Sequence, residues 1–315
     1  MSITLGIDTS NYTTSAAVSA EGAIVKNVRE MLRVSEGERG LRQSDAVFQH
    51  TVNLPKVFAV VGKQNFDAIG VSDMPRDCRG SYMPCFLAGV AAASVLSETA
   101  GVPLYRFSHQ AGHIAAALYA VGREDLHDGE FLAFHVSGGT TEVAHVKQEK
   151  VTLLGGTKDI SCGKAIDRIG VMLGLPFPCG KHLEALAEDP DTVKPGKCAV
   201  SGLTCNLSGL ENRATQMLAC GADRKTVAAF TFSHIGAVLE MLTAHALMLY
   251  PDLPVLYVGG VMSNRYLQKR LSARFHGLFA DPAFSCDNAC GIARLAELCA
   301  EGRITPQERV PYANR

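Results

Sequence analysis

The chain has almost no charge imbalance: 30 Lys and Arg stand against 31 Asp and Glu, for a formal net charge of −1. That balance excludes a globally basic nucleic-acid surface, so any such contact has to be local. No CxxC occurs among the ten scattered cysteines, which read as reduced thiols, partly buried. Cys286 and Cys290 are close in sequence, at i and i+4, and fit helix packing or a soft-metal site. Long apolar runs are missing too. The best window, 86–95, is rich in small residues and too short to cross a bilayer. The first residues carry no basic n-region and no signal-peptide cleavage site. These absences lead us to expect a cytoplasmic protein with no membrane contact. The chain does have core material: 47% apolar and 19% charged residues over 315, a length that suits two domains.

Thr4 to Ile7 reads as a buried strand, followed by the turn Asp8-Thr9-Ser10-Asn11 and strands over 14–19 and 23–28. The charged stretch from Lys26 to Asp45 reads as a solvated loop, with a partner or RNA surface as the alternative. A helix over 45–61, a strand over 68–72, a helix over 84–99 and a strand over 102–107 follow. Then the pattern restarts, with strands over 130–136, 142–147 and 151–155. The turn Ser137-Gly138-Gly139-Thr140-Thr141 matches the first hairpin turn in its small and hydroxylated residues. Such turns leave backbone N–H groups facing outward, and glycine lets a phosphate come close. A plain hairpin turn is the alternative at each. Two of them predict a duplicated fold with a nucleotide between two lobes. Thr226 to Leu249 reads as a long core helix, with His234 and His245 on it as structural or exposed residues. A strand over 254–258, the turn Gly259-Gly260-Val261-Met262-Ser263-Asn264 and a helix over 265–274 form a further crevice suited to an adenosine or a phosphate, although the turn is not GxGxxG.

His109-Gln110-Ala111-Gly112-His113 places two imidazoles one turn apart on one helix face, with Ser108 as a good N-cap. Two histidines so spaced hold two cis positions of a metal and leave the others open. The zinc-protease motif is excluded, because Gln110 stands where its general-base Glu belongs. On spacing alone, two ordinary core or surface histidines remain the alternative.

Taken together, these motifs resemble the TsaD family, which completes threonylcarbamoyl-adenosine on tRNA and was formerly called O-sialoglycoprotein endopeptidase or glycoprotease. The resemblance runs in order through Gly6-Ile7-Asp8-Thr9-Ser10, the histidine motif and the Ser137 turn. It continues through Gly163-Lys164-Ala165-Ile166-Asp167, Leu173-Gly174-Leu175-Pro176-Phe177-Pro178 and Ser208-Gly209-Leu210 to the Gly259 turn and Asp287-Asn288-Ala289. It implies an α/β protein of two actin-like lobes, of the hexokinase and heat-shock-chaperone superfamily. The expected lobes are 1–125, with a helix over about 287–302 packing back on it, and 126–286. It implies one divalent metal, iron or zinc, on His109, His113 and Asp287; on residues alone Asp287 is equally a helix N-cap. It implies an adenine nucleotide or acyl-adenylate with Ser137, Gly138 and Gly139 at its phosphates. Asp167, Gly180 and Glu184 would lie at the ribose, and Gly260 with Asn264 at the nucleoside. Without the family, Asp167 reads as a surface helix residue pairing with Arg168 or Lys164. Asp8 is the one candidate for a direct catalytic part. The implied reaction moves a threonylcarbamoyl group from threonylcarbamoyl-AMP to a tRNA adenosine. The implied partners are tRNA and a TsaB-like subunit, or a second copy, in a dimer.

The chain departs from the family pattern around the reacting centre. Tyr12 and Thr13 stand for an acidic pair, Ala111 for a Glu, Thr140 for a His and Glu211 for a Lys. Asp77 to Pro84 replaces a glycine-rich turn. These changes leave two alternatives: a paralogue that transfers a carbamoyl or acyl group to another amine, and a non-catalytic nucleotide-binding subunit. They also lead to an expectation of weak tRNA modification by this chain alone. A peptidase is disfavoured: there is no convincing Ser/His/Asp set, and the metal motif lacks its general-base Glu.

Overall fold

The computed structural model describes residues 2–10, 12–34, 41–78, 80–148, 150–280, 284 and 289–305. The chain divides into two compact units, Met1–Asp128 with Ala283–Arg315, and Gly129–Pro282.

The first unit opens with β1 (Ile3–Asp8), β2 (Thr13–Ala20) and β3 (Ala23–Met31). Next come α1 (Gln43–Val61), β4 (Ala68–Met74), α2 (Phe86–Ala100), β5 (Leu104–Ser108) and α3 (His109–Ala120). The sheet order is β3-β2-β1-β4-β5. β1, β2 and β3 form an antiparallel meander, while β4 joins β1 in parallel with Thr4 opposite Ala68. Leu5, Ile7, Val18 and Val71 are fully enclosed between this sheet and its helices. The charged stretch after Lys26 is a strand through Met31, not a loop from its start. Its side chains alternate between exposed and half-buried, so Lys26 and Arg29 decorate a sheet edge, a common way to keep edges from pairing. Glu36, Glu38 and Arg39 lie outside the described residues.

The second unit repeats the plan. β6 (Glu130–Val136), β7 (Thr141–Lys147) and β8 (Lys150–Thr157) form the meander. β11 (Val255–Val258) and β12 (Leu278–Phe279) continue from β6 in parallel. The run β8-β7-β6-β11-β12 has the order and directions of β3-β2-β1-β4-β5, and β10 (Thr204–Asn206) and β9 (Ala199–Ser201) extend its β8 edge. The helices are α4 (Cys162–Met172), α5 (Gly180–Leu186), α6 (Ser208–Ala219), α7 (Arg224–Leu249) and α8 (Arg265–Phe275). α7 is the one helix among the described residues long and apolar enough to cross a membrane, but 83% of its most apolar window is enclosed by this unit. Val227, Phe230, Ile235, Val238, Leu242 and Ala246 on it are core residues.

The last helix, α9 (Cys290–Ala300), belongs to the first unit and packs on α3, β1 and β4. Ile292, Leu295 and Ala296 meet Phe107, Ala111 and Ala115. The approach is close: a methyl group on Gly291 would overlap the Gly112 carbonyl oxygen of α3. Arg294 and Glu297 are buried as a pair at 2.6 Å. Glu297 also accepts from the Ser19 hydroxyl and from the Gly22 N–H, and Arg294 reaches Glu124. Buried charges survive in a core when every polar atom is matched in this way.

Candidate functional site

In the first unit the site begins where β5 passes directly into α3. Ser108 Oγ accepts the Ala111 N–H at 3.1 Å, the N-cap bond that starts the helix, and donates to Asp77 Oδ2 at 2.6 Å. His109 is therefore the first helical residue, and His113 lies one turn on. Their Nε2 atoms face each other at 2.9 Å, with the rings inclined at 74°. At the other edge of the His109 ring, Nδ1 donates to Asp8 Oδ2 at 2.8 Å. Asp8 ends β1 and is 1% exposed, and its second oxygen accepts the Ser10 N–H at 2.7 Å. A carboxylate on Nδ1 selects the tautomer whose Nε2 carries a lone pair, which is how metal-binding histidines are commonly oriented. Two nitrogens converging at this spacing fit two cis ligands of one ion. Asp287 lies outside the described residues. Among the described residues no group of three or more His, Cys, Asp or Glu is arranged to hold a metal. Ala111 is buried against α9, so the position of the family's Glu is part of the core. Tyr12 is exposed, and Thr13 is built into β2 with its N–H on the Ser10 carbonyl.

The second unit carries the glycine turns at the carboxyl ends of parallel β6 and β11, the usual ligand edge of such sheets. The turn after β6 closes on itself: Ser137 N–H donates to the Thr140 carbonyl, and Ser137 Oγ accepts the Thr140 N–H. The start of α4 rests on it. Ser161 caps α4 and donates its hydroxyl to the Gly138 carbonyl at 2.6 Å. A side chain at Gly163 would overlap the Ser137–Gly138 backbone. Gly138 and Gly139 are exposed, and a Cβ on either would meet open space, so no packing inside the protein calls for glycine there. Asp167, on α4, accepts the Cys179 N–H at 2.9 Å, which sets the start of α5 and so the place of Gly180. It pairs with neither Arg168 nor Lys164; Arg168 pairs instead with Glu211 at 3.0 Å. Glu184, on α5, accepts the Arg265 N–H at the start of α8 at 2.9 Å. Asn264 caps α8 through Oδ1, while its buried Nδ2 has no partner. Gly259, at φ +100, lies on the Val136 carbonyl and closes the ring back to β6. Gly260 is open to its surroundings.

The orphaned buried amide of Asn264 and the open glycines Gly138, Gly139 and Gly260 fit a polar, phosphate-bearing ligand. Cys162 sits beside this turn, but burial pushes its thiol up to about 12, so it is no thiolate nucleophile. His234 and His245 bond to the Pro195 and Gly202 carbonyls and take structural places. Sequence reasoning missed Asp159, whose carboxylate accepts the Leu207 and Ser208 N–H groups and holds the start of α6. Its signal is a lone Asp far from that helix, which no local pattern exposes. The Asp8–His109 bond was also missed, because it joins residues 101 apart in the chain.

A family model described as TsaD, tRNA N6-adenosine threonylcarbamoyltransferase, matches residues 45–294. A tRNA N6-adenosine threonylcarbamoyltransferase of Geobacillus thermodenitrificans is 32% identical over 314 residues, covering 92% of this chain and 89% of that one. Among solved structures, HypF of T. kodakarensis superposes with a TM-score of 0.62 at 14% identity, over 97% of this chain and 48% of that one. Component A of the Acidaminococcus fermentans (R)-2-hydroxyglutaryl-CoA dehydratase gives 0.58 at 16% identity, over 96% and 100%. These likenesses establish an actin-like ATPase fold.

Proposed function

Since the chain belongs to the TsaD family of tRNA N6-adenosine threonylcarbamoyltransferases and is a transferase, we propose that it moves a threonylcarbamoyl group from threonylcarbamoyl-AMP to the exocyclic amine of a tRNA adenosine. The observation that carries this reading is the family match over residues 45–294. The amine nitrogen bonds to the carbonyl carbon and gives up one proton to solvent. The carbon–oxygen bond to the phosphate breaks, and its electron pair leaves with AMP.

This chain's residues act by holding and orienting. Ser137, Gly138 and Gly139 present backbone to the phosphates, and Ser161 and Gly163 fix that turn. Asp167, Gly180 and Glu184 line the ribose, and the unpartnered Asn264 amide donates to the nucleoside. His109 and His113, with Asp287, would hold one iron or zinc ion, with Asp8 fixing the His109 tautomer. Such an ion would supply Lewis-acid stabilisation of anionic oxygens. No covalent nucleophile is needed.

We also propose a TsaB-like partner subunit or a second copy. In support, Phe48, Val52 and Val60 on α1 and Leu87, Val95 and Leu96 on α2 are exposed apolar side chains of the first unit. The work on tRNA is assigned to the cytoplasm.

The test is incorporation of labelled threonine into unmodified tRNA, with the enzyme that makes the adenylate and the usual partner subunits present. Turnover is expected. If adenine nucleotide binds and no label enters tRNA, the proposal fails, leaving another amine acceptor or a non-catalytic nucleotide-binding subunit; in that case Tyr12, Thr13 and Thr140 are the substitutions to revert.

A further inference from the structure

A cavity of about 680 Å³ opens in the second unit between α7, α8 and the segment 191–195. None of the residues that line it belongs to the ring of Ser137, Asp167, Glu184 and Asn264. Its charged lining is Lys194, Lys269, Arg270 and Arg274 against Asp191 and Glu240, an excess of two positive charges. Both carboxylates are already engaged. The Tyr266 hydroxyl donates to Asp191 at 3.1 Å, and Arg270 donates to Glu240 at 2.7 Å and to the Tyr266 oxygen at 2.6 Å. Arg274 stands 3.7 Å from Glu240. Lys194 and Lys269 are exposed and have no ion-pair partner among the described residues. Arg270 Nε is buried and has no acceptor. An arginine locked by two hydrogen bonds, with spare donor capacity and two unpaired ammonium groups nearby, matches a polyvalent oxyanion. The volume is that of an ordinary small-ligand site, and Val193, Pro195 and Ala273 offer apolar contact beside the charges.

We propose that this cavity is a second binding site, taking a phosphate group carried by a small molecule or by an RNA backbone. Phosphate is favoured over a carboxylate because the excess charge is two and the donors include both a guanidinium and ammonium groups. The site goes beyond the acyl-transfer reading and does not depend on the metal.

The test titrates inorganic pyrophosphate into the full-length protein with AMP held at one equivalent, enough to fill the nucleotide ring with little left free, and titrates unmodified tRNA separately. The variants are Lys194→Glu with Lys269→Glu and, as a control on the same unit, Lys158→Glu with Lys225→Glu. All four positions are exposed, so melting temperatures should be unchanged. Affinity for at least one probe should fall about tenfold or more in the cavity variant and stay near wild type in the control. Loss for pyrophosphate assigns a free phosphate ligand, and loss for tRNA alone assigns an RNA phosphate. Equal affinities in the cavity variant and the control, for both probes, overturn the proposal. Failure of AMP to bind would count against the nucleotide ring and leave the pyrophosphate arm readable.

Discussion

A buried carboxylate beside an imidazole decides which ring nitrogen carries the proton. Asp8 has this position on His109, at 2.8 Å and 1% exposure. We expect the purified protein to carry about one iron or zinc per chain and His109→Ala to lose it, measured by elemental analysis. Asp8→Asn should weaken metal affinity about 10–100-fold in a chelator competition while the fold persists. Metal-free wild type after reconstitution, or unchanged affinity in Asp8→Asn, would refute these roles. Asn264 allows a cleaner separation. Asn264→Asp keeps the oxygen that caps α8 and removes the amide donor that has no partner. Its melting temperature should hold while adenine-nucleotide affinity drops about tenfold by calorimetry. An equal loss of stability would reduce Asn264 to a cap.

At the scale of elements, Asp159 organises the approach to α6. Burial raises the pKa of this carboxyl, but the N–H groups of Leu207, Ser208 and Ile160 outweigh it and hold the group below its ordinary 3.8. A depressed carboxyl stabilises the fold above its unfolded pKa and loses that contribution as pH falls through the folded value. Asp159→Asn should therefore lower the urea midpoint at about pH 7, and the gap to wild type should narrow below 3.8. A gap that does not change with pH would mean that the charge is irrelevant. Asp159 also illustrates what was legible in the sequence. Strands and helices with strong local patterns, such as 130–136 and 226–249, were readable, as was the Ser108 cap. α6 and the short β9, β10 and β12 were not; what holds the start of α6 is the distant carboxylate of Asp159. The histidine pair and the glycine turns stood out because their spacing is local. The cavity around Arg270 draws on three segments and had no signature in any of them.

At the scale of the molecule, the same meander and parallel strand pair is used in both units, and the insertion of β9, β10 and α6 marks the second. The exception to this repetition is α9, which follows the second unit in sequence but packs in the first. Its fit on α3, through Gly291 against the Gly112 carbonyl, leaves no space for any other residue type there. This arrangement sets a timetable for synthesis. The first unit's strands leave the ribosome early, yet the face that receives Ile292, Leu295 and Ala296 waits for the whole intervening unit to be translated. At common elongation rates the delay is roughly 10–30 s. During that interval a nascent chain displays an uncovered apolar sheet face, a surface that chaperones recognise and that favours clumping on crowded polysomes. A message truncated before codon 289 would leave it bare for good.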